Sequence, residues 1–274
     1  MGVEAGDIER WLGAWALSLD GYPFSTPYTR SVLVPVRRGD EAAMLKIAGH
    51  PEEARGAALM AWWRGDGAAP VLAREGPALL LMRAEDPEAL ARMAFEGRDD
   101  EATTVLCEVA ARLHRPRAEP APADAVPLAI WLRALRGAAG LGGPYARAAG
   151  LAEALLAAPQ EPAVLHGDIT HANVLNFGAG GWLAIDPKGL IGERGYDYAN
   201  IFRSPTVHEV TPERLSRQLA LVARLARLDR ARLAQWVVVH SVVALVWARE
   251  DGHALGRRAL RFPEMALAEL DRIS

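Results

Sequence analysis

Apolar positions follow two regimes along the chain, short strand-like runs interleaved with two helical stretches up to about residue 82 and mainly helical spacing afterwards. Trp11, Leu12, Trp15 and Leu19 share one helical face and predict a helix over 8–19, which the Gly and Pro of 21–27 then break. Residues 31–36 and 42–47 read as strands joined at Gly39-Asp40, and 71–72 with 78–82 as a further hairpin around Gly76-Pro77. Helical spacing or helix-favouring composition marks 51–62, 87–95, 100–114, 127–135, 145–157, 212–227, 230–249 and 257–271. Trp236, Val243 and Trp247 form a stripe whose default reading is core packing. The Pro- and Ala-rich stretch 116–127 reads as a loop between helices.

One segment of the second half departs from this helical pattern. Short apolar runs at 163–165, 174–175 and 182–185 bracket a polar loop, 166–173, and a Gly-rich turn, 178–181, which predicts a strand, a loop and a hairpin. The loop carries Asp168 and Asn173, and the hairpin returns Asp186 beside them. Two carboxylates and an amide oxygen in one small volume suit a hard cation such as Mg²⁺, which keeps waters and is shared with substrate phosphates. A carboxylate left over from the metal can take a proton. An isolated Asp–Asn pair is commonly turn chemistry; here strand, loop, hairpin and second Asp occur together in order, which favours a site.

Composition narrows the classes. At 274 residues the chain suffices for one large domain or two modest ones. A formal charge of -3 and a hydrophobic fraction of 51% argue against disorder and against a nucleic-acid partner. The single Cys107 gives no disulfide framework, so a reducing, cytoplasmic setting is expected. No basic segment followed by an apolar stretch opens the chain, and the run 236–248, with His240 and Ser241, is short for a bilayer, so no membrane is expected.

The loop reads H-G-D-x-x-x-x-N and the later Asp stands in I-D-P, where protein kinases have H-R-D and D-F-G. On these residues the chain resembles the aminoglycoside phosphotransferase family of small-molecule kinases. IDPKGL at 185–190 and GERGYDYANIF at 192–202 are most similar to its streptomycin 6-phosphotransferase and hydroxyurea phosphotransferase branch. The resemblance implies an α+β, bilobal protein-kinase-like fold. A small antiparallel-sheet N-lobe would span 1–82, a hinge 81–83, and a larger, mainly helical C-lobe 83–274. It further implies ATP, with GTP as the alternative, and Mg²⁺ between the lobes, and transfer of the γ-phosphoryl group to a hydroxyl of a small molecule. A streptomycin-like aminoglycoside is the expected acceptor, with resistance as the outcome. Kinases of hydroxyurea, sugars or amino alcohols share these parts, and a silent nucleotide binder would share the fold. A metal-dependent phosphohydrolase is disfavoured, since no spare His–Asp cluster accompanies the three oxygen ligands.

In this resemblance Asp168 accepts the acceptor's proton, Asn173 and Asp186 hold the metal, and Lys46 pairs the α- and β-phosphates under the guidance of a helix Glu. Lys46 lies between Leu45 and Ile47, where a cation needs a partner or ligand, the general alternative being an edge-strand Lys. Glu53 is preferred to Glu52 as its partner. No Gly-rich loop is present; Ser25 and Thr26, within 22–29, stand where one would cover phosphate, or form an ordinary turn. The backbone of Leu81 and Arg83 is expected to read the adenine. His166 is read as holding the loop, and His114 as complementing its helix end. Asp197 and Asn200 are candidates for substrate contact, Asp197 also for bracing the loop. Glu250 and Asp251, unfavourable at a helix C-terminus, are candidates for a polycationic substrate or for a solvated helix end.

Overall fold

The computed structural model describes residues 5–25, 31–49, 52–254 and 256–274. Helix α1 (Ala5–Ala14) is shorter than predicted: Ala16 takes a positive φ of 51°, and residues 18–19 leave the helix as strand β1 (Ser18–Leu19). The Leu19 that completed a helical face in sequence pairs with Val36 instead. With β2 (Val32–Arg38), β3 (Glu41–Ile47), β4 (Val71–Glu75) and β5 (Ala78–Met82), β1 builds an antiparallel sheet in the order β1-β2-β3-β5-β4, and helix α2 (Glu52–Trp63) connects β3 to β4. Strand alternation puts Ala43, Leu45 and Ile47 of β3 on one face, packed with Val34, Val36, Leu80 and Trp11. Lys46 points to the other face. Its strand runs between β2 and β5, so the edge-strand alternative does not hold.

That second face is where the lobes join. Leu59, Met60 and Trp63 of α2 share one buried cluster with Leu79, Leu81 and the core of the second lobe. The Trp63 indole donates to the Leu113 carbonyl at 3.2 Å. After β5 the chain passes to the second lobe with the Glu85 amide bonded to the Asn176 carbonyl at 2.9 Å.

The second lobe continues with α3 (Ala89–Phe95) and α4 (Asp99–Leu113). The predicted helix over 127–135 is instead a strand and two short helices, β6 (Val126–Pro127), α5 (Leu128–Trp131) and α6 (Ala134–Ala138), because β6 is drawn into a sheet with a distant partner. Next come α7 (Gly143–Ala157), β7 (Pro162–Leu165), β8 (Val174–Asn176), β9 (Trp182–Ala184) and β10 (Leu190–Glu193), followed by α8 (Gly195–Ala199). Strands β8 and β9 form the predicted hairpin, and β6, β10 and β7 a second small sheet. Helices α9 (Pro212–Ala226), α10 (Arg230–Glu250) and α11 (Arg261–Ile273) close the chain; Thr211 and Asp229 cap α9 and α10 with side-chain oxygens. At 21 residues α10 outruns the predicted apolar run and is long and apolar enough to cross a membrane, yet 67% of its apolar window lies buried in the fold, as in a core helix. Trp236 and Val243 are buried in that core.

Candidate active site

The loop after β7 is held from below by Asp197 on α8. Its Oδ2 accepts from the His166 amide at 2.8 Å and lies 2.7 Å from His114 Nε2, while its Oδ1 accepts from the Gly167 amide at 2.6 Å. Burial pushes the Asp197 carboxyl up, but the His114 hydrogen bond, the neighbouring imidazoles and the Gly167 amide hold it below the usual carboxylate range. Its side chain is wholly buried, which favours bracing, the second of the two roles weighed for Asp197, over substrate contact. Gly167 has a φ of 83° and leaves no room for a side chain: a Cβ would stand 2.7 Å from Leu190.

His166 ties the loop to the hairpin. Its Nε2 lies 2.8 Å from the Ile185 carbonyl, and its Nδ1 accepts from the Asp168 amide at 3.2 Å, which assigns the Nε2–H tautomer. Burial lowers its pKa, in keeping with a neutral ring. Trp63 of α2 stacks on that ring, centroids 6.1 Å apart and planes at 15°. The structural reading of His166 therefore stands, and His114, read as a dipole partner, also secures Asp197.

Asn173 and Asp186 meet because β8 and β9 pair Val174 with Ala184, and the Ile185 amide bonds the Asn173 carbonyl at 2.8 Å. The Asn173 amide nitrogen donates to the Asp168 carbonyl at 2.9 Å, which leaves its Oδ1 as the candidate ligand oxygen. Asp186 takes φ 60°, a conformation that an Asp tolerates better than most residues. Lys46 Nζ lies 2.5 Å from Asp186 Oδ1 and 2.7 Å from Glu53 Oε2, and Ser31 Oγ donates to Glu53. Burial raises the Asp186 carboxyl, yet Lys46 and Lys188 together leave it below the ordinary value. Helix α2 presses on this segment: at Gly56 a Cβ would sit 2.4 Å from the Pro187 carbonyl oxygen.

The Asp168 carboxylate is held by Asn200, faces Lys188 and remains 29% exposed. Asn200 Nδ2 donates to its Oδ1 at 2.7 Å, and Lys188 Nζ stands 3.5 Å from its Oδ2. Asn200, buried like Asp197, orients the carboxylate. Burial depresses the Lys188 ammonium pKa, but Asp168 and Asp186 outweigh it and leave the pKa raised. Arg203 is close enough for Asp168 to act on it, and borders a cavity of about 200 Å³ with Val207, Phe262 and Met265.

Other expected residues are less directly engaged. Leu81 is paired within β5, and the Arg83 amide bonds Ala42 at 3.3 Å while its guanidinium pairs with Asp20, so that amide is not free for adenine. Ser25, Glu250 and Asp251 are exposed, and Thr26 lies outside the described residues. Sequence reasoning missed Lys188 and the bond from His114 to Asp197; spacing carries no sign of partners so far away along the chain.

Among the described residues no three His, Cys, Asp or Glu side chains gather as a metal cage. Asn173 and Asp186 offer two hard oxygens on one hairpin, which fits a Mg²⁺ that relies on phosphates and water for its remaining ligands. The sequence profile of aminoglycoside/hydroxyurea antibiotic resistance kinases matches residues 14–252. The chain belongs to this kinase family. A streptomycin 3''-kinase of Klebsiella pneumoniae is 44% identical over 87% of this chain and 91% of its own length. A streptomycin 6-kinase of Streptomyces griseus is 31% identical over 89% and 83%. A crystal structure of a thermostable mutant of aminoglycoside phosphotransferase APH(4)-Ia, in ternary complex with ADP and hygromycin B, superposes with a TM-score of 0.64 over 96% of this chain and 97% of that one; at 14% identity it shares the fold. As a member of this kinase family the protein is a nucleotide-using phosphotransferase with the bilobal architecture expected from sequence.

Proposed function

We propose that the protein phosphorylates a hydroxyl of a streptomycin-like aminoglycoside with the γ-phosphoryl group of ATP, and so confers resistance. The observation that carries the reading is the partly exposed Asp168 carboxylate, oriented by Asn200 and set beside the Asn173–Asp186 pair. The names of the two relatives support the acceptor class; they differ in the hydroxyl, so the position attacked is left to experiment. The nucleotide binds between a lobe ending near residue 82 and the helical remainder, in a cytoplasmic enzyme.

Asp168 orients the acceptor hydroxyl and takes its proton as the oxygen–phosphorus bond forms and the bond to the leaving diphosphate breaks. Lys46, aligned by Glu53, donates to the nucleotide's phosphates. Asn173 and Asp186 hold Mg²⁺, which neutralises phosphate charge when bound. Catalysis is then positioning and electrostatics, with no covalent intermediate on the protein.

The test is a mass-spectrometric transfer assay with ATP, GTP and Mg²⁺ against streptomycin, other aminoglycosides, hydroxyurea, choline and simple sugars. A gain of one phosphoryl group on streptomycin is expected, and fragmentation locates it. Gain on hydroxyurea or a sugar alone would keep the kinase and remove the aminoglycoside. Asp168→Ala is expected to abolish transfer with nucleotide affinity retained, and Asp186→Ala to weaken Mg²⁺-nucleotide binding; undiminished transfer by Asp168→Ala would refute the assigned base.

A further inference from the structure

The chain holds 31 basic residues besides histidine, and 29 of them are arginine. The two lysines are Lys46 and Lys188. Surface ion pairs, helix ends and buried bridges are all served by arginine: Arg214 on Asp99, Arg232 on Glu193 and Arg230 on Glu269. Both lysines stand at the site, Lys46 on Asp186 and Glu53, Lys188 on Asp168. A sequence that elsewhere uses the planar guanidinium keeps the compact ammonium at two places, and one of them is the phosphate-holding position of the proposed mechanism. The two cations are not interchangeable, since an ammonium is a point charge on a flexible stem whose three donors can turn to a changing set of oxygens.

The geometry of Lys188 leaves its head free while its base is fixed. Its amide bonds the His166 carbonyl at 2.7 Å, and its Cβ lies against Gly167, so the backbone is clamped to the catalytic loop. Its side chain is 38% exposed, and its 3.5 Å approach to Asp168 is longer than a charge-assisted hydrogen bond. Asp168 does not depend on it for orientation, because Asn200 already holds the other oxygen at 2.7 Å. Asp168, Asp186 and Glu53 all act on this ammonium. It therefore stands beside the carboxylate that receives the acceptor hydroxyl, two residues along the chain from the one assigned to face the nucleotide's phosphates.

We propose that Lys188 is a second catalytic lysine, which turns from Asp168 to donate to an oxygen of the transferring phosphoryl group. As the acceptor oxygen–phosphorus bond forms and the bond to the leaving diphosphate breaks, with the proton passing to Asp168, the ammonium follows the charge on the moving group. The assignment rests on the phosphoryl-transfer reading above, although not on which acceptor is used.

The test exploits the lysine count. An acyl-phosphate derivative of ATP, with the acyl carbon on the γ-phosphate, transfers its acyl group to an amine at that position and releases ATP. Peptide mass spectrometry of the full chain is expected to find acylated Lys188; acylation of Lys46 alone, or of neither lysine, would overturn the proposal. This experiment needs no acceptor, so labelled Lys188 with no transfer to any panel compound would sink only the acceptor reading. Lys188→Met is expected to lower kcat about 10²-fold or more, the loss typical of a deleted transition-state donor. Its nucleotide Kd, read by titration, is expected to stay within about threefold of the parent, as befits an interaction made in the transition state. A kcat within about threefold of the parent, or a loss confined to nucleotide affinity, would refute it. Lys188→Arg keeps the charge and is expected to recover part of the lost rate.

Discussion

Gly56 offers a substitution on which helix propensity and packing disagree. It lies inside α2, where glycine costs about 1 kcal/mol relative to alanine, so Gly56→Ala judged by propensity alone is stabilising by that amount. The new Cβ, however, would stand 2.4 Å from the Pro187 carbonyl oxygen, and ordinary C···O contacts begin near ~3.3 Å. Since the obstacle is backbone, α2 and the segment after Asp186 have to part by about 1 Å. Overpacking of this kind costs roughly 1–3 kcal/mol, which leaves a net loss of about 0–2 kcal/mol after the helix gain. The kinetic effect is larger, because α2 carries Glu53 and the displaced loop carries Asp186, both bound to Lys46. A misplacement of about 1 Å can cost ~10²-fold in rate. Urea unfolding paired with steady-state kinetics measures both. The expected result is a small drop in midpoint with kcat/KM down about 10²-fold. A raised midpoint with unchanged kinetics would refute the packing argument.

Asp197→Asn keeps the shape but turns an NH₂ toward at least one of three donors; a loss of about 3 kcal/mol or more in urea and a matching loss of transfer are expected, and parent-like stability would contradict the bracing role. Asn200→Ala frees one oxygen of Asp168 and is expected to lower kcat with nucleotide Kd unchanged; a change in acceptor KM alone would return Asn200 to the substrate. Burial lowers His171 to about 4 and His240 to about 3, from 6.5, so between these values the unfolded chain binds more protons than the folded one. Their contribution is complete above pH ~6.5 and is lost as pH falls, roughly 2 kcal/mol each by pH 5, which unfolding at pH 7, 6 and 5 will show; a flat profile would refute it.

Local periodicity made most of the helices readable, and the strand–loop–hairpin around Asp168 needs only neighbouring residues to form. The misreadings come from long-range pairing. Leu19 fits a helical face in sequence but is claimed by Val36, and Pro127 opens no helix because Ile191 takes it into a sheet. The site divides in the same way. Asp168, Asn173 and Asp186 are legible from one stretch, and Lys46 with Glu53 from kinase resemblance. Lys188 on Asp168, His114 on Asp197 and Asn200 on Asp168 depend on how β10, α4 and α8 pack around the loop. Asp197 and Asn200 drew attention as polar residues in an apolar turn, and both are buried supports of that loop.

The contact of α2 with Pro187, and of Trp63 with His166, has a consequence for control. Regulated kinases withhold activity by swinging the helix that carries the glutamate away from its lysine, which a phosphate or a partner then reverses. Here the Lys46–Glu53 pair is closed, and the helix is wedged between the sheet and the loop that it would have to leave. A swing of that kind would part Glu53 from Lys46 and Trp63 from His166 together. The amount of enzyme in the cell, set by synthesis and turnover, would then fix how fast its acceptor is consumed.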